Sequence, residues 1–94
     1  MIKRDYAAAE REYRSALELE PLDISMHVNL GNALSEKGEF DGAIAAYRRA
    51  IALDPKCAGA HCNLGIALKD KGDMDGALAA MRQAVALNPK SAEA

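Results

Sequence analysis

Three asparagines and one histidine–cysteine cluster are the residues of this chain whose types and spacing suit chemistry. Asn29 and Asn63 stand 34 residues apart, each followed by Leu-Gly, and Asn32 lies three positions beyond the first. A side-chain amide both donates and accepts hydrogen bonds. Amides repeated along one surface can therefore hold a peptide backbone with little regard for its side chains. Cys57, His61 and Cys62 are metal ligands by type. Only Cys57 and His61 share a helical face, however, and zinc wants three or four ligands. No metal is expected. In one helix the two cysteines, five positions apart, would have Cα atoms about 9 Å apart, beyond the ~7 Å reach of a disulfide. Two free thiols in a reducing compartment are the expectation. The chain has no Ser/His/Asp set, no nucleophilic Cys/His arrangement and no glycine-rich phosphate loop. It is read as a non-enzyme without a cofactor, any catalytic part being on a chain other than this one.

What must position these residues is helical. The 94 residues suit one small domain with a thin core. Half of them are hydrophobic, but alanine dominates that half, aromatics make up 4% and threonine is absent, leaving little material for a sheet. The net charge of −2, with acids and bases interleaved, argues against nucleic-acid binding, which calls for a basic stripe. No apolar run approaches the roughly 20 residues that cross a bilayer. The opening Met-Ile-Lys-Arg-Asp-Tyr lacks the apolar segment of a signal peptide. A soluble cytoplasmic protein is expected, with the nucleus as the alternative and no membrane partner.

The chain repeats itself. Pro21, Pro55 and Pro89 are spaced by 34 residues, and residues 24–57 align with 58–91 without a gap, 19 of the 34 positions being identical. A partial copy lies upstream, where Asp5, Ala9, Ala16, Leu19 and Pro21 align with Glu39, Ala43, Ala50, Leu53 and Pro55. Each unit reads as two helices. Asp23 caps the first, Gly38 ends it, and Pro55 prevents the second from continuing. Five helices are expected, at about 3–19, 24–37, 41–54, 58–71 and 75–87. His27, Leu30, Gly31 and Leu34 form a narrow apolar stripe, whereas Phe40, Ala43, Ile44, Tyr47, Ala50 and Ile51 cover a broad arc. Such an arc suits a helix packed against two neighbours, as in a solenoid. Glycine inside a helix costs about 1 kcal/mol relative to alanine. At Gly31 and Gly65 that cost is expected to be offset by close approach to the partner helix, opposite Ala43 and Ala77. The histidines on the stripe, His27 and His61, are read as core residues.

The pattern His27-x-x-Leu30-Gly31-x-x-Leu34, with Ala43, Tyr47, Ala50 and Pro55, resembles the tetratricopeptide repeat (TPR). Its copy, His61-x-x-Leu64-Gly65-x-x-Leu68 with Ala77, Met81, Ala84 and Pro89, resembles the same motif. The resemblance implies an all-α TPR solenoid: a half repeat at 1–23, full repeats at 24–57 and 58–91, and the start of a truncated unit at 92–94. It also implies that the first helix of each unit lines a concave groove. The candidate peptide-binding row is then Ser25, Asn29, Asn32 and Glu36, continued by Asn63, Ile66 and Asp70. The Asn-Leu-Gly-Asn-Ala-Leu wording is similar to repeats of O-linked N-acetylglucosamine transferases, in which such asparagines hold substrate peptides. A carboxylate clamp, the other TPR binding mode, needs basic residues where this chain has Val28 and Gly59.

A protein-interaction module for a partner peptide or protein is the leading expectation. Two alternatives stand beside it: a structural unit that self-assembles by end-to-end stacking or helix exchange, and the scaffold fragment of a larger glycosyltransferase. For self-association the candidate residues are Tyr6, Ala9 and Tyr13 at one end and Leu78, Met81 and Val85 at the other, since each end is a second helix without its neighbour.

Overall fold

The computed structural model describes residues 6–19 and 23–87. It contains helices α1 (Tyr6–Leu19), α2 (Ile24–Lys37), α3 (Phe40–Leu53), α4 (Ala58–Lys71) and α5 (Met74–Leu87), with no strand among the described residues. The expected all-α TPR-like solenoid of five helices is the observed fold. Boundaries agree with the sequence reading to within one residue for α2 to α5, and residues 3–5 of the first predicted helix lie outside the described residues.

The helix ends have local causes. The Asp23 side chain accepts the Met26 N–H at 3.2 Å and so caps α2. Gly38 and Gly72 close α2 and α4 with φ of 89° and 102°, a left-handed backbone that favours glycine. Asp73 accepts the Gly76 N–H at 2.9 Å just before and inside α5. Cys57 corrects one expectation. Its backbone is extended and it is the N-cap of α4, so it and Cys62 are not two members of a single helical run. Both are free, half-buried thiols.

Each helix packs on the next in chain order, and α2 also touches α4, the equivalent helix one repeat on. One continuous core runs through the stack, from Leu30 and Leu34 through Ile44 and Tyr47 to Leu64, Leu68 and Ala80. The glycine on the stripe has a different partner from the one expected. A Cβ on Gly31 would fall 2.7 Å from Cδ1 and 2.8 Å from Cζ of Tyr47. The missing side chain therefore makes room for a buried aromatic ring rather than for bare contact with Ala43. At Gly65 the neighbour is Met81, 3.0 Å away through Cγ and Cε.

Candidate functional site

The outer faces of α2 and α4 lie opposite their packed stripes, and the touch between the two helices sets them side by side. On α2 the stripe of His27, Leu30, Gly31 and Leu34 is buried, which turns Ser25, Asn32 and Glu36 outward to solvent and leaves Asn29 half-buried. On α4 the same logic exposes Ile66 and Asp70 and leaves Asn63 half-buried. The side-chain amides of Asn29 and Asn63 make no hydrogen bond with the described residues. They are polar groups in part-buried positions.

Asn32 differs from them. Its Oδ1 accepts the Tyr47 hydroxyl at 2.5 Å. Burial pushes the Tyr47 phenol above its ordinary value, a hydrogen bond with Ser35 opposes this, and the negative charge of Glu36 adds to the rise. The hydroxyl therefore stays protonated at neutral pH and donates. Sequence reasoning placed Tyr47 in the core arc and missed this reach to the outer face. Its one signal was that a buried tyrosine needs a partner for its hydroxyl. In the second repeat Met81 replaces Tyr47 and Ile66 replaces Asn32, so that pair is apolar.

Of the candidate association residues, Leu78 is 53% and Val85 46% exposed, while Met81 is half-buried. Ile44, which holds the place of Leu78 one repeat earlier, is only 6% exposed and belongs to the core between repeats. Met74, 60% exposed at the start of α5, belongs to the same end and was not singled out from the sequence. At the other end Ala9 is half-buried and Tyr13 packs against the core. The side chain of Tyr6 lies outside the described residues.

The remaining groups are accounted for by structure. His61 is buried with its Nε2 2.9 Å from the Pro55 carbonyl, tying α4 to the loop before it. His27 is buried equally, at 8% exposure. Among the described residues no group of three or more His, Cys, Asp or Glu is arranged to hold a metal, and no helix is long and apolar enough to cross a membrane. A depression of about 500 Å³ opens between α1, α2 and α3, lined by Arg14, Leu17, His27, Leu30 and Arg49. It follows the packed stripe and not the asparagine row. Sequence spacing gave no sign of it.

Comparison with known proteins places this geometry. A family model described as "TPR repeat" matches residues 31–72, and one described as "Tetratricopeptide repeat" matches residues 58–91. No curated protein matches the chain. Among solved structures, a crystal structure of MamA is 28% identical with a TM-score of 0.85, over 95% of this chain and 52% of that one. A second MamA structure (MSR-1) is 27% identical with a TM-score of 0.86, over 92% of this chain and 49% of that one. This chain thus spans about half the length of these MamA structures. The first TPR of Spaghetti (RPAP3), bound to the HSP90 peptide SRMEEVD, is 20% identical with a TM-score of 0.87, over 89% of this chain and 67% of that one. At that identity the likeness speaks for the fold alone.

Proposed function

Starting from a chain that carries tetratricopeptide repeats in a TPR-like solenoid, we propose that it is an interaction module whose groove, built on α2 and α4, holds an extended partner peptide. The observation that carries this reading is the pair Asn29 and Asn63. They occupy the same place in successive repeats, half-buried, with amides unbonded to the described residues. Neighbouring helices lie roughly 10 Å apart and an extended chain advances about 3.3 Å per residue, so one amide meets about every third peptide residue. Each can both donate to and accept from a backbone. Repeats of this kind are generally protein-interaction modules, and the RPAP3 neighbour bound an HSP90 peptide. Val28 and Gly59 in the basic places of a carboxylate clamp argue against the same ligand class here. Affinity capture with the wild-type chain and with Asn29→Ala/Asn63→Ala tests the proposal. Loss of the captured partner at unchanged helicity supports it; equal capture refutes it.

A second reading, self-assembly through the α5 end, is favoured by Leu78 and Val85, which are exposed where Ile44 is covered one repeat earlier. Light scattering on the chain with and without a polar helix added after Ala94 tests it. Association relieved by the added helix supports it, and a monomer at millimolar concentration removes it. The likeness of Asn-Leu-Gly-Asn-Ala-Leu to glycosyltransferase repeats suggests a third role, as a scaffold within a larger enzyme, which the full reading frame would decide.

A further inference from the structure

Helix α5 carries a line of apolar residues, Met74, Leu78, Met81 and Val85, spaced i, i+4, i+7 and i+11. Met74, Leu78 and Val85 are exposed and Met81 is half-buried. Beside this line, on the side away from the buried Ala77 and Ala80, lie Asp75 and Arg82. Two helical turns, about 10 Å along the axis, separate them on one flank. Both are exposed, and neither forms an ion pair with the described residues. One repeat earlier the equivalent acid, Asp41, pairs with Lys71 of α4, the helix that packs next on α3. At that repeat position the acid meets a cation from a neighbouring helix. Asp75 has no such cation among the described residues.

We infer that this face is covered by the same face of a second copy, α5 lying antiparallel on α5 of its partner about a twofold axis. This rests on the self-assembly reading and deepens it by naming the partner surface and its direction. A twofold axis perpendicular to the two helices reverses one against the other and keeps each flank on its own side. Asp75 of each protomer then faces the partner's Arg82, and Leu78 lies beside the partner's Met81. Parallel pairing would instead set acid against acid and arginine against arginine, which repel. Head-to-tail stacking on α1 has less to offer. Among the described residues the exposed large apolar side chain of α1 is Leu19, at its last position. The antiparallel arrangement closes at two copies and leaves the faces of Asn29 and Asn63 open.

Light scattering on the full chain, on Asp75→Arg, on Arg82→Asp and on an equimolar mixture of the two variants tests the inference. Wild type should approach twice its 10.0 kDa mass as concentration rises and go no further. Each variant alone places like charges together at both ends of the contact and should dimerise about tenfold more weakly. The mixture should recover wild-type association, because the introduced arginine of one variant then faces the introduced aspartate of the other. Circular dichroism should be the same throughout, since both positions are exposed. Assemblies that grow beyond two copies, variants that associate like wild type, or a mixture no better than its components overturn the antiparallel contact and leave self-assembly standing. A wild type that stays monomeric at millimolar concentration overturns the self-assembly reading, and this inference with it.

Discussion

The ring of Tyr47 lies over the bare α-carbon of Gly31, and the hydroxyl of the same ring donates to Asn32 at 2.5 Å, one position further along α2. One side chain thereby joins the hairpin core to the outer face. Gly31→Ala should act on this contact first. Its Cβ would fall 2.7 Å from Cδ1 of a ring that is 2% exposed and has nowhere to move. The expected cost is about 1–3 kcal/mol, more than the ~1 kcal/mol gained in helix propensity. Gly65→Ala meets only Met81, a flexible chain 3.0 Å away, and should be close to neutral. Thermal melts of the two variants check the difference. A higher midpoint for Gly31→Ala would refute the packing assignment.

Removing only the hydroxyl, in Tyr47→Phe, should cost about 0.5–1.5 kcal/mol, because Asn32 is exposed and water can replace the lost donor. Alkali provides a second readout. The Tyr47 phenol is raised above 10.0, first by burial. A raised folded value means that its contribution is complete below the unfolded value and is lost as pH rises through the folded one. Wild type should therefore lose stability above about pH 10 more steeply than Tyr47→Phe does. Parallel alkaline curves would contradict the buried, bonded hydroxyl.

Acid should act at the other end of the solenoid. Hydrogen bonds from Lys37 and then Arg14 hold the Glu10 carboxyl below 4.5. A depressed folded value contributes above the unfolded value and is lost as pH falls through the folded one. Glu10 joins α1 to α2 through Lys37 Nζ at 3.1 Å. Amide exchange in α1 should thus rise below pH 4.5 before exchange in α3 or α4 does, and Glu10→Gln should show that loss already at neutral pH. Exposed pairs are weak, so the effect should be confined to α1. Uniform acid unfolding of all five helices would count against this link.

Leu78 and Ile44 hold one repeat position in two environments. Ile44→Lys buries an unpaired charge in the core and should unfold the chain at room temperature. Leu78→Lys, on the 53% exposed residue, should leave the melting midpoint nearly unchanged and reduce any concentration-dependent association. Circular dichroism and light scattering together separate the two. Association unaffected by Leu78→Lys would dismiss the α5 end as its seat.

What the sequence disclosed and what it withheld divide along physical lines. The 34-residue period, Asp23, Gly38 and Pro55 marked the helices because capping, left-handed φ and proline act locally. The stripe of His27, Leu30, Gly31 and Leu34 showed which face of α2 turns inward, and hence that Asn29 turns away from the core. Contacts across the hairpin were not legible. That Gly31 meets Tyr47 rather than Ala43, and that Tyr47 then reaches Asn32, depends on the offset between α2 and α3. Periodicity carries no record of that offset. The pairing of Lys37 with Glu10, 27 residues away, is hidden for the same reason.

The central claim is that Asn29 and Asn63 hold a peptide backbone. Calorimetric titration of one peptide from a captured partner into wild type and Asn29→Ala/Asn63→Ala tests it most directly. With about 1 kcal/mol for each amide, affinity should fall roughly ten- to thirtyfold while the circular dichroism spectrum stays the same. Equal affinity for the two proteins would contradict the account.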